Sequence, residues 1–401
     1  MGENREIAEC ATIQSFLNSY LRETGNYRLM ENVSEMTKAE LECLENVKVQ
    51  RLIRSSLNKQ GMDLILPLRY WSETGRHLFH FPIYYAVNEK LLELDYVTMV
   101  SLIMKELSLS ANGKVNLDEL MLRVILSKQN IEGYVAARSK DEKKLFGRGT
   151  NFIEAEQSLI FGHMLHPTPK SRQGITEDDE KIYAPELEGR FPLHYFRAHD
   201  SIVREASSLS ENTTALIKDD LLNDPDVDDD FKSDYCKNDD YSLIPIHPLQ
   251  ADFLLRKPKI SQLMQQGLLE YLGPHGKPFA PTSSVRTVYN ETARFMYKFS
   301  LNVKITNSLR VNKLKELERG VEVNRLLDSE IGEGLSGRFP GFHIIRDPGY
   351  ITLNGSLEES GFEAVLRENP FQQEEAENAM LLAGLCQDNL FGGQSRLAAI
   401  I

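Results

Sequence analysis

Apolar and polar residues alternate along residues 295–306, the cleanest pattern of this kind in the chain. Alternation with a period of two predicts a β-strand with one face on a core and the other on polar surroundings. A short polar turn precedes it, and residues 284–287 before that turn are also expected to be extended. The segment 281–312 therefore predicts a β-hairpin on which Ser284 and Arg286 share one face. The apolar positions are Phe295, Tyr297, Phe299, Leu301, Val303 and Ile305, and the polar ones are Lys298, Ser300, Asn302, Lys304 and Thr306.

Patterns elsewhere predict both helices and strands, and so an α+β protein. Residues 7–23 carry apolar side chains at helical spacing, which predicts an amphipathic helix. Two apolar runs around the turn at 72–75 predict a second hairpin. The other predicted elements are mostly helix over 87–138, a helix over 151–161 ending at Gly162, a strand over 243–246, a helix over 314–327, a strand ending near 366–370 and a helix over 372–387.

Composition places the chain among ordinary globular proteins. It has 401 residues, 41% of them apolar and 26% charged, and a net charge of −13. The length predicts two or three domains, and the negative charge argues against general nucleic-acid binding, which needs a basic surface. No apolar run approaches a membrane span, and the N-terminus lacks the apolar core of a signal peptide. Four widely spaced cysteines without a CxxC pair predict reduced thiols in a cytoplasmic protein.

Two segments are basic against this acidic background. Residues 281–313 hold six Lys or Arg and one Glu, a local reversal of charge that suits an anionic ligand. The second segment is the run HMLHPTPKSRQG after Gly162, where two prolines stiffen a loop that contains no acid. Arginine and lysine suit phosphate through bidentate and point-charge contacts. The alternative is a solvated basic loop whose histidines are structural. The donors in this loop are His163, His166, Lys170, Ser171 and Arg172.

Residues 218–240 contain ten aspartates. Three of them at alternate positions imitate the start of a calcium-binding loop. Asp229 stands where that loop needs glycine, however, and Tyr235 stands where it needs a bidentate glutamate. The sequence therefore argues against an EF-hand and predicts a solvated, mobile insertion.

Five motifs, in this order and roughly these spacings, resemble the IucA/IucC family of NRPS-independent siderophore synthetases. They are GHMLHPTPKSRQG, IHPLQ, PTSSVRT, KFSLNVKITNSLR and LRENP, and they cover about residues 150–370. The resemblance implies an ATP-dependent ligase that activates a carboxylate, often of citrate, as an acyl-adenylate. It further implies Mg²⁺ beside ATP and, because family members are often dimers, a homodimer of the full-length form.

The resemblance also implies a cupped-hand fold. Residues 1–148 would be a helical thumb, residues 149–375 a fingers domain with a mixed, mainly antiparallel sheet, and residues 376–401 the start of a palm. Family members continue with a segment of the E-x-H-x-Q-N type, which nothing after Leu390 matches. The chain is therefore expected to be truncated and to hold one wall of the active site.

The phosphate-binding roles follow from the resemblance and agree with the chemistry of the reaction. Charge builds on the oxygens of the α-phosphate as pyrophosphate leaves, so catalysis rests on positioning and on fixed positive groups. Arg286 is expected to stabilise that charge. Ser284, Thr287 and Lys298 are expected to bind the nucleotide phosphates, although alternation places Thr287 on the opposite face from Arg286.

The remaining roles are implied by the resemblance in the same way. His166 is expected to be catalytic together with Arg286, and the substrate carboxylate is expected at Thr306 and Arg310. The other phosphate-binding residues are His163, Lys170 and Arg172. Three polar residues are assigned supporting roles, with the third orienting a basic partner: His247, Gln250 and Glu156. No metal ligand is identified.

The predicted reaction joins citrate to an amine, a polyamine or a hydroxylamine. An amide forms, with release of AMP and pyrophosphate. Two alternatives stay open. The chain is a catalytically incomplete ATP-binding fragment, or it belongs to a family member that uses 2-oxoglutarate or a citrate monoamide.

Overall fold

The computed structural model describes residues 2–88, 90–111, 117–237, 240–354 and 359–401. The chain divides into two compact units by packing. Unit 1 comprises Met1–Gly147, Leu159–Arg172 and Leu382–Ile401, and unit 2 comprises Arg148–Ser158 and Gln173–Leu381. Within the described ranges, no helix combines the length and the apolar character needed to cross a membrane. The thumb, fingers and palm boundaries stay predictions.

The N-terminal part of unit 1 packs helices on an antiparallel sheet. The described strands follow the order β1-β2-β3-β5-β6, with β4 paired to β3. Leu17, Leu64 and Ile103 are fully buried in the core between them. The elements are α1 (Gly2–Thr24), β1 (Arg28–Met30), α2 (Lys38–Val47), β2 (Leu52–Leu57), β3 (Met62–Tyr70), β4 (Leu78–Phe79), β5 (Tyr84–Val87), β6 (Lys90–Glu93), α3 (Tyr96–Ser110), α4 (Leu117–Arg138) and α5 (Glu142–Phe146).

The helix predicted over 7–23 is confirmed by α1, whose Ile13, Leu17 and Leu21 are buried because they fall on one helical face. The hairpin predicted around 72–75 is confirmed by the antiparallel pairing of β3 with β4. The mostly helical prediction over 87–138 missed β6, a strand with three exposed residues of four.

Unit 2 is built around a larger antiparallel sheet. In the part of the chain that the structure describes, this sheet has the order β10-β8-β11-β12-β13-β17-β16-β9. Its elements are α6 (Phe152–Gln157), β7 (Arg172–Gln173, at the border of the units), α7 (Glu177–Tyr183), β8 (Phe191–His199), β9 (Val203–Ser207), α8 (Thr213–Leu222), α9 (Asp229–Phe231), β10 (Tyr241–Ile246), α10 (Pro248–Leu255), α11 (Pro258–Gln265), β11 (Leu269–Pro281), β12 (Thr287–Tyr289), β13 (Phe295–Phe299), β14 (Leu301–Ile305), β15 (Ser308–Arg310), α12 (Leu314–Leu327), α13 (Glu330–Arg338), β16 (Gly349–Leu353) and β17 (Ala364–Glu368).

The core of unit 2 contains Phe196, Leu243 and Phe299, all buried. The strand predicted over 243–246 and the helix predicted over 314–327 are confirmed by β10 and α12. A third, small sheet contains β14 and β15, and sheets combined with helices confirm the α+β fold class.

The hairpin predicted over 281–312 is confirmed in part: β12 and β13 pair antiparallel on either side of the polar turn, but both strands are shorter than predicted. Residues 284–287 mostly form a tight turn, in which Val285 has a left-handed φ of +67° and Arg286 N–H donates to the Ser284 carbonyl. The alternating run is not one strand, because it breaks at Ser300 into β13 and β14, which belong to different sheets. The apolar positions of the alternation are nevertheless all buried, so the pattern itself reported the faces correctly.

The prediction of a solvated, mobile acidic insertion over 218–240 is confirmed only for its exposure: seven of the nine described aspartates are exposed, but the segment is folded into regular elements. Its first part belongs to α8, and Phe231 and Cys236 are buried in the core of unit 2. Asp224 is buried as well, because it accepts hydrogen bonds from the backbone N–H groups of Lys277 and Asp226. Asp239 lies outside the described residues.

Two predicted helices are shorter than expected. The helix over 151–161 ends at Gln157, and the left-handed glycine predicted as its end, Gly162, follows five residues later. The predicted helix over 372–387 is replaced by a 3-10 turn at Gln373–Ala376 and by α14 (Leu382–Leu385). The described chain ends in α15 (Arg396–Ile400), whose Arg396 donates to the carbonyls of Lys144 and Leu145 in unit 1.

Candidate active site

The turn between β11 and β12 gathers three hydroxyl groups. Thr282 Oγ1 lies 3.1 Å from Ser284 Oγ, and Thr287 N–H donates to Ser284 Oγ over 3.2 Å. Val285 adopts a positive φ in this turn, which is a strained conformation for a β-branched residue. Its side chain is buried against Leu301. Ser284 therefore lies in a fixed turn beside Arg286. Thr287 is buried and begins β12.

Glu156 fixes this turn from the neighbouring helix. Its carboxylate accepts two hydrogen bonds from Ser283, one from the backbone N–H at 2.9 Å and one from the hydroxyl at 2.6 Å. Asn151 caps α6 and so positions Glu156. The prediction that Glu156 orients a basic partner is wrong, because the described hydrogen bonds of Glu156 are with Ser283.

Arg286 is held by neutral acceptors. Its Nη1 donates to the side-chain oxygen of Asn312 at 2.9 Å and to the carbonyl of Arg310 at 3.2 Å. Asn312 N–H donates to Ser300 Oγ, and the Ser300 hydroxyl donates to the buried carboxylate of Glu363 at 2.6 Å. A chain of hydrogen bonds thus orients the guanidinium and leaves its charge without a carboxylate partner among the described residues.

Two more cations lie near Arg286. Lys298 pairs across the sheet with Thr287, and Arg310 donates to Thr306 Oγ1 at 3.1 Å. Burial lowers the pKa of Arg286 and the positive charges of Arg310 and Arg367 lower it further, while Glu316 raises it. The pKa of Lys298 is lowered by burial and then by Arg367 and Arg286. Repulsion among half-buried cations destabilises their charged forms, and an anion placed between them would relieve it.

The cations of this region differ in whether a carboxylate neutralises them. Arg367 is neutralised by a bidentate pair with Asp347. Within the described residues, no salt bridge neutralises Arg286, Lys298 or Arg310. We call these three residues the cation cluster. Together with the hydroxyl turn, they form an arrangement suited to an anion with several oxygens.

Gln250 and His247 support this region without lining it. Gln250 bridges two segments, since its amide donates to the Gly361 carbonyl at 3.0 Å and accepts from Asn302 N–H at 2.8 Å. His247 caps α10 by accepting from Leu249 N–H, and burial lowers its pKa to about 3. A fully buried, neutral histidine cannot contact a solvent-borne ligand.

The second predicted group of phosphate ligands belongs to unit 1. His163 accepts from Leu165 N–H at Nδ1, and His166 accepts from Thr168 N–H in the same way. A neutral ring that accepts at Nδ1 carries its proton on Nε2, which makes that atom a donor. These two imidazoles therefore have the tautomer that an oxyanion requires.

Lys170 and Arg172 are buried in unit 1 instead of being exposed on the loop. The backbone N–H of Lys170 donates to Ser127, and Arg172 donates to the Tyr134 hydroxyl at 2.9 Å while lying over its ring. Gly162 enables this packing, because a Cβ there would lie 2.7 Å from Pro169. The loop is thus an ordered, packed element of unit 1.

Sequence reasoning missed the residues that orient Arg286: Asn312, Ser300 and Glu363. Each contact joins segments that are 12 to 63 residues apart, so no local motif reveals it.

The described residues contain no group of three or more His, Cys, Asp or Glu side chains that could hold a metal ion. The cation cluster would repel a divalent cation on its own. Any Mg²⁺ at this site would therefore have to arrive with an anionic ligand that screens it.

Comparison with known proteins agrees with the geometry. The sequence model of the IucA / IucC family matches residues 151–387. The chain is 48% identical over 403 residues to a spermidine-citrate ligase of Bacillus anthracis, covering 100% of this chain and 67% of that protein. It is 37% identical over 345 residues to the rhizobactin siderophore biosynthesis protein RhbC of Rhizobium meliloti (strain 1021), covering 85% and 58%.

A solved structure shows the same fold. ATP-bound aerobactin synthetase IucA from Klebsiella pneumoniae superposes with a TM-score of 0.84 at 28% identity, covering 97% of this chain and 66% of that one. The chain belongs to the IucA/IucC family, as the five motifs predicted. It spans about two thirds, or less, of the length of these relatives.

Proposed function

We propose that this chain is part of an ATP-dependent ligase that joins citrate to a polyamine in siderophore synthesis. The observation that carries the proposal is the cation cluster, which is oriented by neutral acceptors and lacks carboxylate partners among the described residues. Such a cluster is suited to two anions at once, a polyphosphate and a carboxylate. The relationship to an ATP-bound synthetase supports ATP as the polyphosphate.

In the proposed first step, a carboxylate oxygen of citrate attacks the α-phosphorus of ATP and pyrophosphate leaves. Arg286 and Lys298 would stabilise the charge that develops on the phosphate oxygens, and Ser284 would donate its hydroxyl. Thr287, with its side chain buried at the start of β12, would fix the turn. His163, His166, Lys170 and Arg172 of unit 1 are proposed as a second set of phosphate ligands.

Arg310 is proposed to hold the carboxylate that reacts. Thr306 is held in a turn with a left-handed φ of +61° and accepts from Arg310, which fixes the arginine at the end of β15. A guanidinium binds a carboxylate through two parallel hydrogen bonds, which would aim the attacking oxygen.

In the proposed second step, an amine nitrogen attacks the acyl carbon, AMP leaves and the nitrogen loses a proton. The 48% identity to a spermidine-citrate ligase supports a polyamine, with spermidine as the first candidate. Mg²⁺ accompanying ATP, a homodimer and a cytoplasmic location complete the proposal, and the last is supported by four free cysteines.

Citrate-dependent exchange of labelled pyrophosphate into ATP tests the first step directly. Arg286→Ala is expected to lower the exchange rate by about 100-fold or more, as removal of an oxyanion donor does. Arg319→Ala removes an exposed arginine of α12 and is the matched control. Equal exchange rates in the two variants would refute the assigned phosphate site.

Two measurements on the 401-residue chain test the alternatives, an incomplete ATP-binding fragment and a different carboxylate substrate. Calorimetric ATP binding without citrate-dependent AMP formation would indicate an incomplete, ATP-binding fragment. Replacing citrate by 2-oxoglutarate or by a citrate monoamide identifies the carboxylate, since the true substrate supports the fastest exchange.

A further inference from the structure

A cavity of about 260 Å³ lies in unit 2 beside the C-terminal end of α8. It is a different feature from the cation cluster, because Tyr297 lines it while the next residue of β13, Lys298, faces the opposite side of the sheet. Its walls combine three carboxylates and three aromatic rings with two cations: Asp219, Asp220, Asp224, Tyr195, Tyr297, Phe279, Lys277 and Arg294.

Asp220 is the carboxylate with the weakest internal partner. Its described hydrogen bond comes from the Tyr297 hydroxyl at 3.4 Å, close to the limit for such a bond. Burial raises its pKa to about 6, although Arg294, the Tyr297 hydroxyl and Lys277 act in the opposite direction. Burial therefore outweighs the groups that favour the ionised carboxylate.

The other charged groups of the wall already have partners. Asp224 accepts from two backbone N–H groups, and Asp219 lies 3.7 Å from Arg294. The Lys277 ammonium donates to Thr292 over 3.4 Å. Asp220 is thus the group to which a bound cation would contribute most.

Tyr195 provides an independent sign of a ligand. Its side chain is 4% exposed and lines the cavity, yet its hydroxyl makes no hydrogen bond with any described residue. The hydroxyl is not among the fully buried polar atoms of the described residues that lack a partner, so it is accessible from the cavity and a donor from a bound molecule can reach it.

The chemistry of the wall selects the kind of cation. No described group of acidic side chains has the geometry of a metal site, which disfavours a divalent ion. Aromatic faces and a carboxylate suit an ammonium group, and the C-terminal end of α8 adds a partial negative charge. The volume lies just below the range of drug-sized pockets, so a slender ligand fits it best.

We propose that this cavity binds a linear diamine or polyamine, with one ammonium group between Asp220 and the hydroxyl of Tyr195. Because the cavity lies on the other face of β13 from Lys298, the amine bound there is not the one that attacks the activated carboxylate. The proposal is therefore independent of the ligase reaction proposed above.

Calorimetric titration of the 401-residue chain with spermidine near neutral pH tests this site. Asp220→Asn is expected to weaken binding by about tenfold, which corresponds to roughly one charge-assisted hydrogen bond. Tyr195→Phe should cause a smaller loss. Asp230→Asn, an exposed aspartate of the same acidic segment, should bind like the wild type, and uncharged 1,4-butanediol should give no binding.

Equal spermidine affinity in the wild type and in Asp220→Asn would overturn the proposal, since binding at an acceptor site elsewhere does not depend on Asp220. Displacement of spermidine by Mg²⁺ in the wild type but not in Asp220→Asn would overturn it too, by showing a metal site. Asp220→Asn should fold normally, because burial disfavours the charge that it removes. Citrate-dependent exchange in this variant then reports on the ligase reaction separately.

Discussion

The guanidinium of Arg286 donates to the side-chain oxygen of Asn312 at 2.9 Å, across 26 residues of chain. A neutral amide orients the arginine without forming a salt bridge with it. The guanidinium keeps its charge for a ligand, with Glu316 acting on it only from a distance. This relationship distinguishes Arg286 from Arg367, which Asp347 neutralises in the same sheet.

Asn312→Asp should convert Arg286 from a ligand-binding arginine into a partner of an internal ion pair. We expect ATP affinity to fall by about tenfold or more, because the new carboxylate competes with phosphate for the guanidinium. The melting temperature reports separately on the hydrogen bond from the Asn312 amide to the Lys298 carbonyl, which the substitution removes. Isothermal titration with ATP measures the effect, and Asn378→Asp, at an exposed position, is the isosteric control. Unchanged ATP affinity in Asn312→Asp would contradict the role of Arg286.

Glu363→Gln should destabilise unit 2. The carboxylate is buried and accepts from Ser300 Oγ and from the backbone N–H groups of Ser360 and Gly361. An amide group would direct its own N–H donors at these donors, at a cost of about 1–3 kcal/mol in the free energy of unfolding. Urea denaturation measures this cost against Glu359→Gln, which changes an exposed carboxylate. Equal midpoints for the two variants would show that the network does not stabilise the fold.

Gly162→Ala should disturb the basic loop of unit 1. Gly162 has a φ of +77°, and an added Cβ would lie 2.7 Å from Pro169 Cβ and 3.0 Å from Lys170 Cε. Gly149 has a similar φ of +72° with nothing within 4 Å, so Gly149→Ala isolates the cost of the backbone conformation alone. We expect Gly162→Ala to lose about 1–3 kcal/mol more than Gly149→Ala. Similar losses would mean that the loop gives way without cost.

His247 should make stability depend on pH. Burial lowers its pKa in the folded state to about 3, below the usual value of 6.5, so the unfolded chain takes up the proton first as pH falls. Its contribution is therefore complete above pH 6.5 and is lost as pH falls toward 3, by about 1.4 kcal/mol per pH unit. His247→Asn retains a side chain that can cap α10 but does not titrate. Denaturation between these pH values should give a shallower slope for this variant, and identical slopes would refute the assignment.

Local sequence patterns predicted those helices and strands whose buried face is evident from the spacing of their own apolar residues. The helix α1 and the strand β10 follow from the spacing of apolar residues, because that spacing alone decides which face is buried. The cations of the site, Arg286, Lys298 and Arg310, also came from the sequence, because a basic segment in an acidic chain indicates an anion. Family membership followed from the order of five motifs.

The long alternating run over 295–306 shows what such patterns cannot predict. Period-two alternation marks the faces of β13 and β14 correctly, but it carries no information on which sheet each half joins. The break at Ser300 depends on Glu363, which is distant in sequence and supplies both a backbone and a side-chain hydrogen bond. Likewise, the acidic segment is packed because Lys277, 53 residues beyond Asp224, offers its N–H to that carboxylate.

Residue types and their local spacing thus specified the charges of this protein, the faces of its main elements and its family. The state of each charge was decided by tertiary structure. Arg286 has no salt bridge because Asn312 approaches it where an acid could have stood, and the pKa of Asp220 is raised because folding buries it. Hydrogen bonds and burial act over a few ångströms in space, and only the fold brings distant parts of the chain within that distance.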